Sequence, residues 1–214
     1  MKTRINSAEY DQAYQYLVNH SKIDISFIVL TAVSTVLCWL GFAMDSEAVI
    51  IGAMVVAPLL YPVVALSAAV LQKESNIFGR RILVLIIGFL LVLGLSSLLG
   101  VIHPIDLTTA DVAVRMVTSP VIYFLAAFFA GIAGTFCLFW PKVMQGLIGV
   151  AIAVTLLPPL CLLGITFSAT GGLEGQAFLI VALNILGIII GSFTTLIVLK
   201  MTRRKKSENK NSTN

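Results

Sequence analysis

Apolar residues in this chain come in long runs, not in alternations or narrow stripes. Stretches near twenty residues predict six membrane-crossing helices, at 26–44, 48–72, 82–103, 120–140, 146–167 and 176–199. Each is long enough to cross a hydrocarbon layer of about 30 Å at about 1.5 Å per residue. The expected fold is an all-α polytopic transmembrane bundle. Only Asp45, Ser46 and Glu47 separate the first two runs, so a tight hairpin with a polar tip is expected there. The longest gap, 104–119, holds Asp111 and Arg115 one helical turn apart and suits a short interfacial helix. Residues 1–25 form a polar N-terminal segment, cytoplasmic or interfacial, in which Ile5, Tyr10, Ala13, Tyr14, Leu17 and Val18 share a helical stripe. It lacks the apolar core and cleavage site of a secretory signal, so the N-terminus is expected to be retained.

Composition and charge turn these runs into a topology. Of 214 residues, 58% are hydrophobic and 11% charged, and the mean hydropathy is +1.01. A soluble domain has roughly a quarter of its residues charged, so lipid is the expected outer solvent. With both termini in the cytoplasm, 13 of the 14 Lys and Arg residues lie inside and only Arg115 lies outside. The positive-inside rule therefore predicts a multi-pass protein of the inner (plasma) membrane with residues 200–214 as a basic cytoplasmic tail. The net charge of +4 is a topology signal and a means of touching anionic lipid. Nucleic acid is not an expected partner, because no aromatic or base-reading residues accompany the charges.

Residues 51–66, IGAMVVAPLLYPVVAL, align without gaps to 148–163, IGVAIAVTLLPPLCLL, at an offset of 97, with six of sixteen positions identical. The same offset lays the first run on the fourth and the third on the sixth. A three-span unit has an odd number of crossings, so its repetition predicts an inverted 3+3 arrangement, a plan found in many secondary transporters. Each repeated segment carries two prolines. Pro58, Pro62, Pro158 and Pro159 lack an N–H, and in continuous helices the carbonyls of Met54, Pro58, Val154 and Thr155 would lose their partners. The double proline is also expected to drive Leu157 and Pro158 away from helical geometry. Either the second and fifth helices kink and the bonds are repaired locally, or both are broken near mid-membrane and their free ends form a solute or ion site.

Three blocks carry a family resemblance: DSEAVIIGAMVVAPLLYPVVAL at 45–66, RMVTSPVIYFLAAFFAGIAGTF at 115–136, and GVAIAVTLLPPLCLLGITFSATGGLEGQAFLIVALNILGI at 149–188. In that order they resemble the DUF389 family of bacterial and archaeal hydrophobic proteins, over roughly 45–199. The resemblance implies a polytopic membrane domain and no particular activity.

The polar residues left inside or beside the spans are few. Asp45 and Glu47 at the hairpin tip form either a solvated loop or, with Arg115 and Ser119, the entrance to a cation path. Thr118 or Ser119 is placed to cap the fourth span. Asn184, a third of the way into the sixth run, needs a polar partner and cannot face lipid cheaply. Tyr61 lies between two prolines. Gly187 with Gly191, Ala126 with Ala130 and Gly134, and Ala53 with Ala57 repeat at four residues, which permits close helix packing or a subunit interface. Cys38, Cys137 and Cys161 lie in apolar runs without metal-ligand spacing and read as packing residues.

No nucleophile is paired with a base, no phosphate-cradling loop occurs and no metal-ligand set is spaced for binding, so neither enzymatic activity nor a cofactor is expected. The leading expectation is a transporter or channel for a small solute or ion, assembled as a homo-oligomer in the bilayer. Its path would run past Met54, Pro58, Tyr61, Pro62, Val154, Thr155, Pro158, Pro159 and Asn184. The alternative is a non-transporting scaffold or sensor that acts through helix packing or the basic tail.

Overall fold

A computed structural model of the chain describes residues 22–72, 75–107, 110–139, 156–168 and 174–211, together with Gln15. Among these residues every regular element is helical, and there are eight: α1 (Ile25–Ala43), α2 (Glu47–Val56), α3 (Leu60–Gln72), α4 (Ser75–Ile102), α5 (Asp111–Thr118), α6 (Pro120–Phe139), α7 (Leu157–Thr166) and α8 (Glu174–Asn211). Four helices are long and apolar enough to cross a membrane, and the bent pair α2–α3 would make a fifth span. The N-terminal stripe at 5–18 and the first part of the expected fifth span lie outside the described residues.

Local chemistry explains most of the boundaries. Asp24 opens α1 by accepting the Phe27 N–H at 2.7 Å, an N-cap that satisfies one of the donors a helix start leaves over. At the other end the Ser46 N–H returns to the Gly41 carbonyl at 2.8 Å and the Asp45 N–H to that of Phe42 at 3.2 Å. That is a Schellman closure, which places its penultimate residue in the left-handed region, and Asp45 accordingly has φ of 47°. Gly41 lets the hairpin close, because a methyl group there would run into Ile50 of α2.

The expected second span is two helices. Pro58 has no N–H to give and forces the residue before it into extended geometry, and Ala57 sits at φ −70°, ψ 126°. The chain turns by 53° before continuing as α3. Pro62 is then the third residue of α3, in a first turn whose N–H groups have no intrahelical partner in any case. The same reasoning corrects the expectation for the double proline. Leu157 and Pro158 are helical, because α7 starts at Leu157 and places Pro158 and Pro159 in its first turn. At the C-terminus α8 passes Lys200 without a break and runs to Asn211. Residues 200–211 contain no Gly or Pro, and their Lys, Arg, Met and Glu are good helix formers.

All ten residues of α7 are buried, which fits a helix apolar on every side. Around it stand α4, α8, α1 and, at a smaller contact, α2. The remaining principal pairings are α6 with α8, α1 with α2, α3 with α4, α1 with α4 and α3 with α8. The α6–α8 seam is the tightest. Gly187 lies against the Phe124 carbonyl and Ala127, Gly191 against the Phe128 carbonyl and the Ile132 N–H, and the Thr195 hydroxyl donates to the Ile132 carbonyl at 3.5 Å. Contacts that advance together along both helices make the pair parallel. The α4–α7 pair is parallel by the same sign, with Gly164 against Leu93 and Ser96 and Gly100 against Ser168. On α6 the inner face uses Ala127 and Gly131, while Ala126, which the four-residue spacing singled out, is exposed.

Candidate functional site

Two groups of residues can be built from these elements, one where the proline segments break and one at the tip of the first hairpin. At the break, the Met54 carbonyl that Pro58 cannot serve accepts the Ala57 N–H at 3.2 Å. The orphaned carbonyl that a continuous helix would have left at Met54 therefore does not arise: an extended Ala57 folds its own N–H back onto the helix end. Met54 and Pro62 are buried, and Pro58 and Tyr61 are half-buried, Tyr61 packing against the core. Pro158 and Pro159 are buried in the first turn of α7. Asn184 is fully buried on α8, the helix that packs against both α3 and α7. Val154 and Thr155 lie outside the described residues. The structure therefore places one proline segment on each of two helices that share α8 as a neighbour. Elsewhere in the bundle the buried hydroxyls of Thr31 on α1, Thr135 on α6 and Ser192 on α8 find no hydrogen-bond partner among the described residues.

At the hairpin tip, Asp45, Glu47 and Arg115 come together. The α5 helix is preceded by Ala110, which has no side-chain acceptor to cap it. Asp45 supplies one from 66 residues away in sequence: its carboxylate accepts the Asp111 N–H at 3.3 Å and the Val112 N–H at 3.0 Å. A glycine would meet the left-handed backbone at position 45 more easily, but it has no side-chain acceptor with which to cap α5. Glu47 pairs with Arg115 at 2.8 Å, with side chains 61% and 64% exposed, and the Arg115 Nε also donates to the Asp111 carbonyl at 3.3 Å. Such an exposed pair contributes about 0–1 kcal/mol. Ser119 lies between α5 and α6, its carbonyl accepting the Tyr123 N–H at 3.2 Å. Thr118 does not cap α6. Its hydroxyl bonds back to the Val114 and Arg115 carbonyls within α5.

The capping role gives a direct prediction. Asp45→Gly should keep the hairpin and release the start of α5, with amide hydrogen exchange at Asp111 and Val112 about fivefold faster, as expected for the loss of a cap of about 1 kcal/mol. Asp45→Ala should add strain in the turn and lower thermal stability as well. Unchanged exchange in Asp45→Gly would remove this role.

Residues 54–190 match the family described as Domain of unknown function (DUF389). The chain belongs to DUF389. The match is narrower than the resemblance read from the sequence: it takes in the α2–α3 break, α5 and α7, and leaves out α1 and the hairpin tip. This DUF389 chain is also similar to an uncharacterised protein of Methanocaldococcus jannaschii, at 29% identity over 182 residues, covering 85% of the chain and 55% of that protein. It thus spans about half the length of the curated relative it matches. No solved structure matches it.

Three features of the DUF389 chain were not read from its sequence. The Asp45 cap joins segments far apart, and no local pattern announces it. The complete burial of α7 has a faint signal in the absence of any polar face from Leu157 to Ile165. The third is the approach of the Cys161 thiol on α7 to the Thr35 carbonyl on α1, at 4.0 Å, for which sequence spacing offers none.

Proposed function

We propose that this DUF389 chain is a transporter or channel for a small solute or ion in the plasma (inner) membrane, with its path between the two proline-interrupted segments. In this reading the chain crosses six times, by α1, the α2–α3 pair, α4, α6, a fifth crossing that ends in α7, and α8. Both termini are cytoplasmic, and the crossings form two three-span units of opposite orientation.

One observation carries the reading. The α3 helix starts at Leu60 and α7 at Leu157, 97 residues apart, which is the offset of the sequence repeat. The helix pairings support it, because the offset exchanges α1 with α6 and α4 with α8. It carries α1–α4 onto α6–α8, α4–α7 onto α8–α3, and α3–α4 onto α7–α8, and each of these pairs is in contact. A helix that starts within an apolar layer presents first-turn N–H groups and the positive end of its dipole, which favour a solute oxygen or an anion. The path residues are Met54, Pro58, Tyr61, Pro62, Val154, Thr155, Pro158, Pro159 and Asn184. Asp45, Glu47, Arg115 and Ser119 stand at its outer mouth, where the weak Glu47–Arg115 pair can open readily. A chain of this size encloses a path as a homo-oligomer. Catalysis and cofactors have no part in this reading.

Reconstitution in liposomes tests the proposal. Flux of at least one member of a panel of ions and small metabolites should depend on the protein and survive removal of the tail after Lys200. Absence of flux across the panel, or a function that the tail deletion abolishes and the prolines do not affect, would favour a scaffold and overturn transport.

A further inference from the structure

A serine or threonine inside an apolar helix commonly returns its hydroxyl to a carbonyl three or four residues earlier. Thr35, Ser67, Ser96 and Thr195 do so. Thr135 on α6 and Ser192 on α8 do not. Both residues are fully enclosed, and neither hydroxyl has a hydrogen-bond partner among the described residues. A polar group left unpaired in an interior is costly, so two on one seam call for an occupant. The register of the seam sets the two on facing positions. A carbon added at Gly131 would stand 2.5 Å from the Ile188 carbonyl oxygen, and Thr135 and Ser192 each lie one turn further along these parallel helices. The Thr195 hydroxyl on the Ile132 carbonyl keeps α6 and α8 together at that level. The carbonyls that the two hydroxyls forgo are those of Gly131 and Ile188, so hydroxyl and carbonyl oxygens from both helices border one stretch of the seam.

We propose that Thr135 and Ser192 bind a small monovalent cation, of the class of Na⁺, between α6 and α8. Neutral oxygens are ligands for a hard cation, and an anion would meet the same carbonyls as repulsive neighbours. The stretches 112–173 and 175–207 contain no Asp or Glu, so a divalent ion would lack the carboxylates it requires. The direction of the helix favours positive charge over a neutral water. Thr135 lies five residues from the end of α6 at Phe139, where the last carbonyls carry the negative end of the dipole. Pro141 has no N–H to offer the buried Cys137 carbonyl, which deepens that negative end. A bound ion would tie α6 to α8 one turn beyond their glycine contacts and so stabilise the fold. None of these residues belongs to the proposed path, and the site does not rest on transport. Should the chain carry a flux, this cation is the one to which the flux would be coupled.

Equilibrium binding tests the site. The full chain, purified in detergent, is titrated with radioactive Na⁺ at constant ionic strength made up with choline. Wild type should show saturable binding that unlabelled Li⁺ or Na⁺ competes and choline does not. Thr135→Val and Ser192→Ala should each weaken binding about tenfold, equivalent to about 1.4 kcal/mol, and the double variant should lose it. Thr135→Ser, which keeps the hydroxyl, should bind as wild type does. Thermal unfolding in choline shows whether each variant is folded, and Na⁺ in place of choline should raise the melting temperature of wild type and Thr135→Ser but not of the double variant. Absence of saturable binding by wild type, or binding that persists in the double variant, would overturn the proposal. So would variants less stable than wild type in choline with no cation dependence in either, which is the result expected of a bound water. Binding is read whether or not the protein carries a flux, so a failure of transport and a failure of this site give different results.

Discussion

Gly191→Leu should destabilise the protein by about 3 kcal/mol, the upper part of the range for overpacking a close-packed interior. A first carbon at this position already meets the Phe128 carbonyl oxygen and the Ile132 N–H at 3.0 Å. Both are backbone atoms of a helix that cannot retreat as a flexible side chain can. The two helices must separate, and the loss spreads to Gly187 and Gly131, which depend on the same approach. Gly94→Leu is the matched control, because nothing lies within 4 Å of a carbon added there. Thermal denaturation in detergent should show a clear fall for Gly191→Leu and little change for Gly94→Leu. Equal behaviour of the two would mean that α6 and α8 are not held together at these glycines.

Pro58→Ala should straighten the α2–α3 pair and, on the transport reading, reduce flux about tenfold, equivalent to about 1.4 kcal/mol. The alanine regains an N–H that can take the Met54 carbonyl from Ala57, and it lifts the steric bar that holds Ala57 extended. Removing a bend of 53° between helices of 10 and 13 residues lengthens the end-to-end distance by about 4 Å at about 1.5 Å per residue. Spin labels near Ser46 and Gln72 would report that change. A distance unchanged from wild type would show that packing around α3 holds the bend without the proline. A straightened crossing with undiminished flux would detach the break from transport.

The parts of the fold legible in the sequence are those with a cause within a few residues. The expected first span at 26–44 is α1 at Ile25–Ala43, and the fourth at 120–140 is α6 at Pro120–Phe139. The short helix suggested by Asp111 and Arg115 in the longest gap is α5. Pro58 marked an interruption, and between a kink and a break the structure has a break, since Ala57 and Pro58 leave the helix altogether. The same local logic misled at Pro158. A proline excludes helix only when helix precedes it, and α7 begins immediately before the pair.

Which side of each helix faces inward was not legible, and the reason is the solvent. A helix in water declares its buried face by contrast with its polar one, but lipid and protein interior are equally apolar, so Ala126 and Ala127 read alike although one is exposed and the other buried. Candidate residues chosen by type could be named from sequence, as Asn184 and the prolines were, but their neighbours could not. Asp45 became the cap of α5, and Cys161 met the Thr35 carbonyl, through the register of helices joined by long stretches of chain.

The sequence by itself determined that this is an α-helical membrane protein of DUF389, where α1 and α6 begin and end, and that Pro58 interrupts an apolar helix. Those outcomes follow from hydrophobic length and from missing or misplaced backbone N–H groups, which act within one or two turns. The tertiary structure alone decided that α7 is enclosed on every side, that glycines seat α8 on α6, and that an acid at the hairpin tip holds a helix 66 residues away. Those outcomes depend on close approach between surfaces, and that approach is set by the fit of whole helices, not by any one stretch of chain.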